Sequence, residues 1–315
     1  MKKGTIRLAL AFGFGIAILL YLFWSMGFDN IVRVLSSVRP EYFLAAALIY
    51  LISELVAALN LKVAIDGKIR LRNILPSHMC GMLYSAVTPG RFGYYYTAFS
   101  LAKKTRESRS KNIGILTIMQ GVTFFVKVIS CIIAVIYFSR LFISTESKNY
   151  FIMAAFVPVL FVVSIVLILY TQIPNKVVAR IPFLKKTLGY ISMMQESRKS
   201  MNARKIASII SLNLIGWFIV GAQWYFLSRS LNLDLSYWDA FMLQPLLSAV
   251  MFIPLTPSGL GITEGGSALL FTLILSSMPS AQAKAAGVAY ILLVRLNSIM
   301  VDSFGLIDMR IHGKK

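Results

Sequence analysis

The sequence is poor in acidic residues, in charge of either sign and in cysteine. It has 12 Asp and Glu against 32 Lys and Arg, and charged residues make up 14% of the chain, where a soluble domain carries about 25%. Cys80 and Cys131 both lie in apolar stretches, and no CxxC, HExxH, Walker A or GxSxG pattern occurs. The cysteines therefore give no disulfide framework, and nothing indicates a zinc, P-loop or serine-hydrolase enzyme.

Long apolar stretches, in contrast, recur from one end of the chain to the other. Hydrophobic residues make up 57% of the sequence, and the mean hydropathy is +0.74. No soluble core needs so many, and no linker-like segment divides the chain. We therefore expect one all-α polytopic membrane domain over residues 1–315 in the cell membrane. The run at 8–24, which follows Lys2, Lys3 and Arg7, is interpreted as a first span that is not cleaved.

Six stretches are long enough to cross a bilayer core of about 30 Å. They lie near 6–28, 41–62, 112–139, 150–171, 205–228 and 285–308.

Two further apolar regions, about 74–102 and 239–276, are interrupted in their middle. The interruptions are Thr88-Pro89-Gly90-Arg91-Phe92-Gly93 and Thr256-Pro257-Ser258-Gly259-Leu260-Gly261. Proline removes a helical hydrogen bond, and glycine permits a sharp turn. Each region is therefore predicted to form two short helices that enter the membrane and return, which is a re-entrant hairpin.

The distribution of basic residues predicts the orientation of this arrangement. With both hairpins re-entrant and both termini cytoplasmic, 23 of the 32 Lys and Arg residues lie on the inner side and six on the outer side. This agrees with the positive-inside rule. The basic segment at about 172–204 is predicted to be an amphipathic helix on the inner leaflet. Because the basic residues lie in short loops between spans, we expect no nucleic-acid partner.

The two breaks also indicate an internal repeat. Thr88-Pro89-x-x-x-Gly93 matches Thr256-Pro257-x-x-x-Gly261 at a constant offset of 168 residues. In the charge-derived orientation the two hairpins enter from opposite faces. Transporters are commonly built as such inverted repeats, in which broken helices meet near the midplane and form the site.

Charged side chains at membrane depth are expensive, so each one is a candidate for function. Arg91 lies at the first break, where we expect it to bind a phosphate, and Lys127 lies within a span. The backbone N–H groups that follow Gly93 and Gly261 are expected to point into the same cavity. The predicted headgroup-binding residues are Gly90, Arg91, Gly93, Lys127, Gly259, Gly261, Glu264 and Arg295. Glu54, His78 and Tyr94 are possible cavity-lining residues, and no cofactor or metal is expected.

Several of these residues also have a purely structural interpretation. Glu264 is able to pair with Arg91 or Arg295, and Glu54 with Lys62 across two helical turns. His78 is interpreted mainly as a hydrogen-bonded packing residue. Asp302 lies close to the end of its span, where it is able to reach the interface.

These motifs resemble those of the lysylphosphatidylglycerol synthase transmembrane-region family, also called flippase-like membrane proteins. Pro257-Ser258-Gly259-Leu260-Gly261-Ile262-Thr263-Glu264 fits the family pattern P-x-G-x-G-x-x-E, and Pro89-Gly90-Arg91-Phe92-Gly93 fits P-G-R-x-G. After the P-G-R-x-G pattern the family commonly has a Glu and then an Arg. At those two places this chain has Tyr94 and Thr97. The chain lacks the family's acidic–basic pair at the start of the next span, and without an aminoacyl-transferase domain in this sequence we expect no lysyl transfer to lipid.

The resemblance implies a protein that binds or translocates a lipid and does not catalyse a reaction. The expected partner is a membrane lipid, anionic or phosphate-bearing, of the phospholipid or polyprenyl type. The alternatives are a secondary transporter of a small anionic solute, a lipid-modifying enzyme and a noncatalytic membrane scaffold. The sequence does not indicate an oligomeric state.

Overall fold

A computed structural model describes residues 28–65, 69–105, 108–139, 201–251 and 255–308, together with isolated positions between 16 and 24 and between 159 and 196. Over these residues the protein is all-α, and the only β-type pairing described is one isolated bridge. The predicted spans 6–28 and 150–171 and the predicted amphipathic segment 172–204 lie almost wholly outside the described residues.

Four long helices are apolar enough to cross a bilayer. They are α2 (Pro40–Ala64), α5 (Arg109–Phe138), α6 (Ala203–Ser230) and α9 (Ser280–Asp302), the last continued by a 3-10 turn, Ser303–Leu306. The shortest of the four spans, α2, has 25 residues, which at a rise of about 1.5 Å per residue exceeds a hydrocarbon core of about 30 Å. These helices confirm the prediction of long apolar helices at four of the six expected places.

Each interrupted region forms two short helices, as the sequence predicts. The first comprises α3 (Leu71–Ala86), a 3-10 helix (Phe92–Tyr95) and α4 (Tyr96–Thr105); the second comprises α7 (Tyr237–Val250) and α8 (Ile262–Ile274). The longest of these, α3, has 16 residues and spans about 24 Å. None of these helices could cross a bilayer on its own.

One helix was not expected. Residues 29–40 lie between the predicted spans 6–28 and 41–62, where no helix is predicted, but α1 (Phe28–Ser36) occupies most of this segment. The buried Ile31 packs in a cluster with Ala268 of α8 and Ala285 and Val288 of α9. The segment is therefore an amphipathic helix, which a search for long apolar runs does not detect.

The two halves of the described chain have the same order of helices. Shifting α2, α3, α4 and α5 by 168 residues gives segments that overlap α6, α7, α8 and α9 in turn. The first members of each half also pack together: Arg39 N donates to Ser230 O at 2.8 Å, and Asn60 Nδ2 donates to Ile209 O at 3.4 Å. Because the start of α2 meets the end of α6, the two helices are antiparallel.

The breaks in the two halves meet. Pro89 and Pro257, which occupy equivalent positions, form the isolated antiparallel bridge, and Ser258 N donates to Thr88 O at 3.3 Å. At both breaks the two residues after the proline have left-handed backbone: Gly90 (φ 59°) and Arg91 (φ 58°) in one, Ser258 (φ 47°) and Gly259 (φ 70°) in the other. The predicted approach of the two breaks is therefore observed.

Candidate functional site

A cavity of about 440 Å³ lies against the joined breaks. Gly90 and Arg91 of the first break and Pro257 and Ser258 of the second line it, with side chains from most of the surrounding helices. Its charged or titratable lining residues are Tyr50, Glu54, His78, Arg91, Tyr94, Tyr95, Lys127, Arg295 and Asp302. So many ionisable groups at this depth mark the cavity as the candidate functional site.

Arg91 projects from a strained backbone. Its φ of 58° lies in the left-handed region, which costs a residue with a Cβ roughly 1–2 kcal/mol. Its guanidinium lies against Ser85, with Nη2 3.1 Å and Nε 3.3 Å from the hydroxyl oxygen. A planar guanidinium beside a cavity matches the geometry of a phosphate, to which it donates two hydrogen bonds at once.

Lys127 and Arg295 occupy equivalent positions of the two halves, 168 residues apart, and both line the cavity. Their surroundings differ. Arg295 Nε donates to Glu264 Oε1 at 2.6 Å, whereas Lys127 Nζ donates to Ser248 Oγ at 2.9 Å. The position equivalent to Glu264 in the first half holds Tyr96. The second half thus supplies its own counter-charge, and the first half has no carboxylate at that position.

The Glu264 carboxylate also binds the backbone at the point where the second break ends and α8 begins. Its Oε2 accepts a hydrogen bond from Gly261 N at 2.7 Å, so Glu264 caps its own helix α8. Arg295 Nη2 donates to Ser258 O at 3.0 Å. Glu264 is fully buried, and with Arg295 it fixes the second break to α9. Of the partners considered from the sequence, the structure selects Arg295.

Two carboxyl groups and a histidine also line the cavity, and we call these three residues the acidic wall: Glu54, His78 and Asp302. Glu54 Oε2 faces His78 Nε2 at 3.0 Å, and His78 Nδ1 lies 3.1 Å from the Tyr94 hydroxyl. Asp302 Oδ2 accepts a hydrogen bond from Tyr50 at 3.3 Å. All three wall residues are less than 5% exposed.

The structure places seven of the predicted site residues at the cavity: Glu54, His78, Gly90, Arg91, Tyr94, Lys127 and Arg295. The other four, Gly93, Gly259, Gly261 and Glu264, do not line it. The N–H groups of the two glycines themselves are bonded: Gly261 N donates to Glu264 Oε2 at 2.7 Å, and Gly93 N donates to Thr88 Oγ1 at 2.7 Å. These bonds close the breaks internally, because buried N–H groups need partners.

Asp302 is the main cavity residue that the sequence did not indicate. It was expected to reach the interface, but it is 3% exposed and lines the cavity. Uncharged polar residues were also missed, although amides in apolar helices are a usable signal. They include the amides Asn60, Gln120, Asn213, Gln223 and Gln244, as well as Ser248. Among the described residues, no three metal-binding side chains lie close enough together to hold an ion.

The cavity reaches the apolar surface of the protein. Phe92 and Ile299 both line it, yet they are 61% and 41% exposed. The next large apolar side chains along α9, Leu296 and Met300, are exposed as well. The polar cavity therefore has an apolar rim beside the first break.

Long apolar helices, paired helix breaks and a buried polar cavity together define a polytopic α-helical membrane protein with a polar cavity between its helices. The chain belongs to the family of the lysylphosphatidylglycerol synthase TM region, whose family model matches residues 6–301. It is similar to UPF0104 membrane protein MJ1078 of Methanocaldococcus jannaschii, with 31% identity over 210 residues, or 66% of this chain and 86% of that protein. No solved structure matches the chain.

Proposed function

We propose that this protein is a lipid flippase-like transporter of the cell membrane. It binds the phosphate-bearing headgroup of a phospholipid or polyprenyl-type lipid in the central cavity and moves that headgroup across the bilayer. The lipid tails stay in the surrounding hydrocarbon, and no covalent reaction is involved. The family, whose description refers to a lipid synthase, supports a role with lipids.

The main observation behind this proposal is the position of Arg91 at the cavity. It is the arginine that lines the cavity without pairing with Glu264, and it is held there by a strained backbone conformation. Strained residues that persist in a fold cluster at functional sites. Lys127 and Arg91 line the same cavity. Two neighbouring cations are mutually repulsive, and a bound phosphate would relieve that repulsion.

The apolar rim favours a lipid over a small soluble anion. A solute transporter needs a cavity sealed from hydrocarbon, whereas a lipid needs an opening through which its tails extend. The exposure of Phe92 and Ile299 beside the polar cavity provides such an opening. The two helix breaks that meet at the cavity are the arrangement by which inverted-repeat transporters build a central site.

The proposal predicts that removing the Arg91 guanidinium impairs lipid handling. Lipids that co-purify with the protein are first identified by mass spectrometry, and translocation of a labelled form is then measured in reconstituted vesicles. Arg91→Ala removes a charge-assisted bond of about 1.5–3 kcal/mol, so we expect binding to weaken about ten- to a hundredfold. Arg91→Lys keeps the charge without the planar fork and should give a smaller loss.

The matched control is Arg229→Ala, which removes an exposed arginine of α6 outside the cavity. This variant should bind and translocate at the wild-type rate. Equal rates for Arg91→Ala and the wild type would show that Arg91 does not bind the headgroup. Transport of a soluble phosphate ester in place of any lipid would favour the anionic-solute alternative.

A further inference from the structure

We infer that the acidic wall of the cavity takes up one proton when a phosphate-bearing headgroup binds, so that lipid and proton are carried together. This inference rests on the proposed function and adds its coupling ion. It assigns a role to Glu54, His78 and Asp302, which the binding of a phosphate by Arg91 leaves without one.

The wall is built as a site that accepts protons. Asp302 Oδ1 is a buried polar atom without a hydrogen-bond partner among the described residues, and Glu54, His78 and Asp302 all line the cavity. Glu54 Oε2 and His78 Nε2 face each other at 3.0 Å. A buried polar atom left unsatisfied costs about 1–3 kcal/mol, so a structural role alone would select residues with complete bonding.

Six other ionisable residues line the cavity. Facing the wall are Tyr50 from α2, Arg91 at the break, Tyr94 and Tyr95 from the 3-10 helix, Lys127 from α5, and Arg295 from α9. The described lining residues of α6 and α7 are not ionisable. Asp302 lies within electrostatic range of both Glu54 and Arg91, so the wall and the guanidinium respond to each other.

Three basic side chains and three carboxyl groups surround the cavity. Arg91, Lys127 and Arg295 are the basic side chains, and Glu54, Asp302 and the Arg295 partner Glu264 are the carboxyl groups. In the unliganded state that this proposal assigns, all six are charged and His78 is neutral, so the sum is zero. Net charge in a low-dielectric site costs several kcal/mol per ion, which favours a balanced state.

Binding a phosphodiester adds one negative charge and breaks that balance. The neutral state is restored when one proton binds, either on His78 beside Glu54 or on the Asp302 carboxyl. The proton comes from the aqueous phase that supplies the lipid headgroup, and it leaves with the headgroup on the other side. By linkage, lipid affinity should then fall about tenfold per unit rise in pH where the unliganded wall is deprotonated.

Isothermal titration calorimetry tests this directly with the full chain in detergent. The probe is dihexanoylphosphatidylglycerol, whose phosphodiester stays ionised across the working range. Titrations near neutral pH in buffers of different ionisation enthalpy count the protons taken up per lipid bound. The wild type should take up about one proton, and its dissociation constant should rise about tenfold per pH unit.

The variant that isolates the wall is the double substitution Glu54→Gln with Asp302→Asn, which mimics protonated carboxyls. It should take up no proton, and it should bind the lipid at least as tightly as the wild type at high pH. A purely structural wall would instead lose affinity at every pH. Glu41→Gln, an exposed acid on the same helix as Glu54, is the control and should keep the proton uptake.

Two results would overturn the inference in different ways. Binding of the lipid by the wild type without proton uptake would remove the proton coupling and leave the proposed function standing. Failure of the wild type to bind the lipid at any pH would overturn the proposed function and the inference together.

Discussion

At the scale of single residues, position 91 shows how the first half of the chain differs from the second. The equivalent position holds Gly259, and both have left-handed backbone. Glycine adopts this conformation without steric cost, whereas arginine does not. The fold therefore requires the conformation at both breaks, and the arginine at the first break is retained in spite of it.

This strain predicts an unusual order of stability. Arg91→Gly and Arg91→Ala remove the same guanidinium contacts, but only the glycine relieves the left-handed backbone. Arg91→Gly should therefore unfold with a free energy about 1 kcal/mol higher than Arg91→Ala, while both lose lipid binding. Thermal unfolding in detergent measures the difference. A glycine variant less stable than the alanine variant would contradict the assignment of strain.

A second residue-scale prediction concerns the Glu264–Arg295 pair. Glu264→Gln can still cap Gly261 but leaves Arg295 without its counter-charge, which should cost about 3–5 kcal/mol. Adding Arg295→Gln should recover part of this loss. Unfolding free energies of the two variants provide the measurement.

The control for that pair is the exposed pair of Arg39 and Glu41, whose side chains are 47% and 58% exposed. Glu41→Gln should cost less than about 1 kcal/mol, because water screens the pair. If Glu264→Gln costs no more than Glu41→Gln, the buried pair does not hold the second break in place.

The sequence predicted charged cavity residues better than it predicted their contacts. Arg91, Lys127 and Arg295 were identified because charge at depth is expensive wherever it occurs. Asp302 was placed near a helix end, since the span was expected to end near residue 308. The helical segment runs through Asp308, but α9 packs so that the Asp302 carboxyl is buried beside the cavity. The position of a residue within a predicted span indicates how deep it lies in the membrane. The direction in which its side chain points depends on how the helix packs, which the sequence does not show.

At the scale of helices, the breaks were predictable and α1 was not. Proline and glycine act locally, so their effect on the backbone is visible in the sequence. The amphipathic α1 is stabilised by its packing against α8 and α9, which involves residues more than 200 positions away. Local patterns do not contain that information.

Close helix packing gives a prediction at this scale. A Cβ at Gly287 of α9 would lie 2.6 Å from Ser267 O of α8, and Ser267 Oγ already donates to Gly287 O at 2.8 Å. Gly287→Ala should therefore separate α8 from α9 and destabilise the protein by about 1–3 kcal/mol. Thermal unfolding of the purified variant measures this.

Gly216 provides the matched control, since it also lies inside a long helix. A Cβ there meets no atom within 4 Å, so Gly216→Ala should be neutral or slightly stabilising, because alanine favours helix. Equal effects of the two substitutions would show that α8 and α9 do not depend on this contact.

At the scale of the whole molecule, orientation in the membrane is the main prediction still open. We expect Glu196→Cys and Glu107→Cys to be labelled from the cytoplasmic side, and Asp234→Cys and Glu146→Cys from the outside, because the positive-inside rule assigns them so. The background carries Cys80→Ala and Cys131→Ala. Glu107 and Glu146 lie outside the described residues. Labelling of Glu196→Cys and Asp234→Cys from the same side would contradict the proposed orientation.

The helix-by-helix correspondence of the two halves allows each residue to be compared with its counterpart 168 positions away. The second half has an acid and a base, Glu264 and Arg295, that bond to each other. The first half has tyrosine in place of the acid, Lys127 in place of Arg295, and arginine where the second half has Gly259. We therefore expect substitutions at Glu264 to act mainly on stability, and substitutions at Arg91 to act mainly on lipid binding.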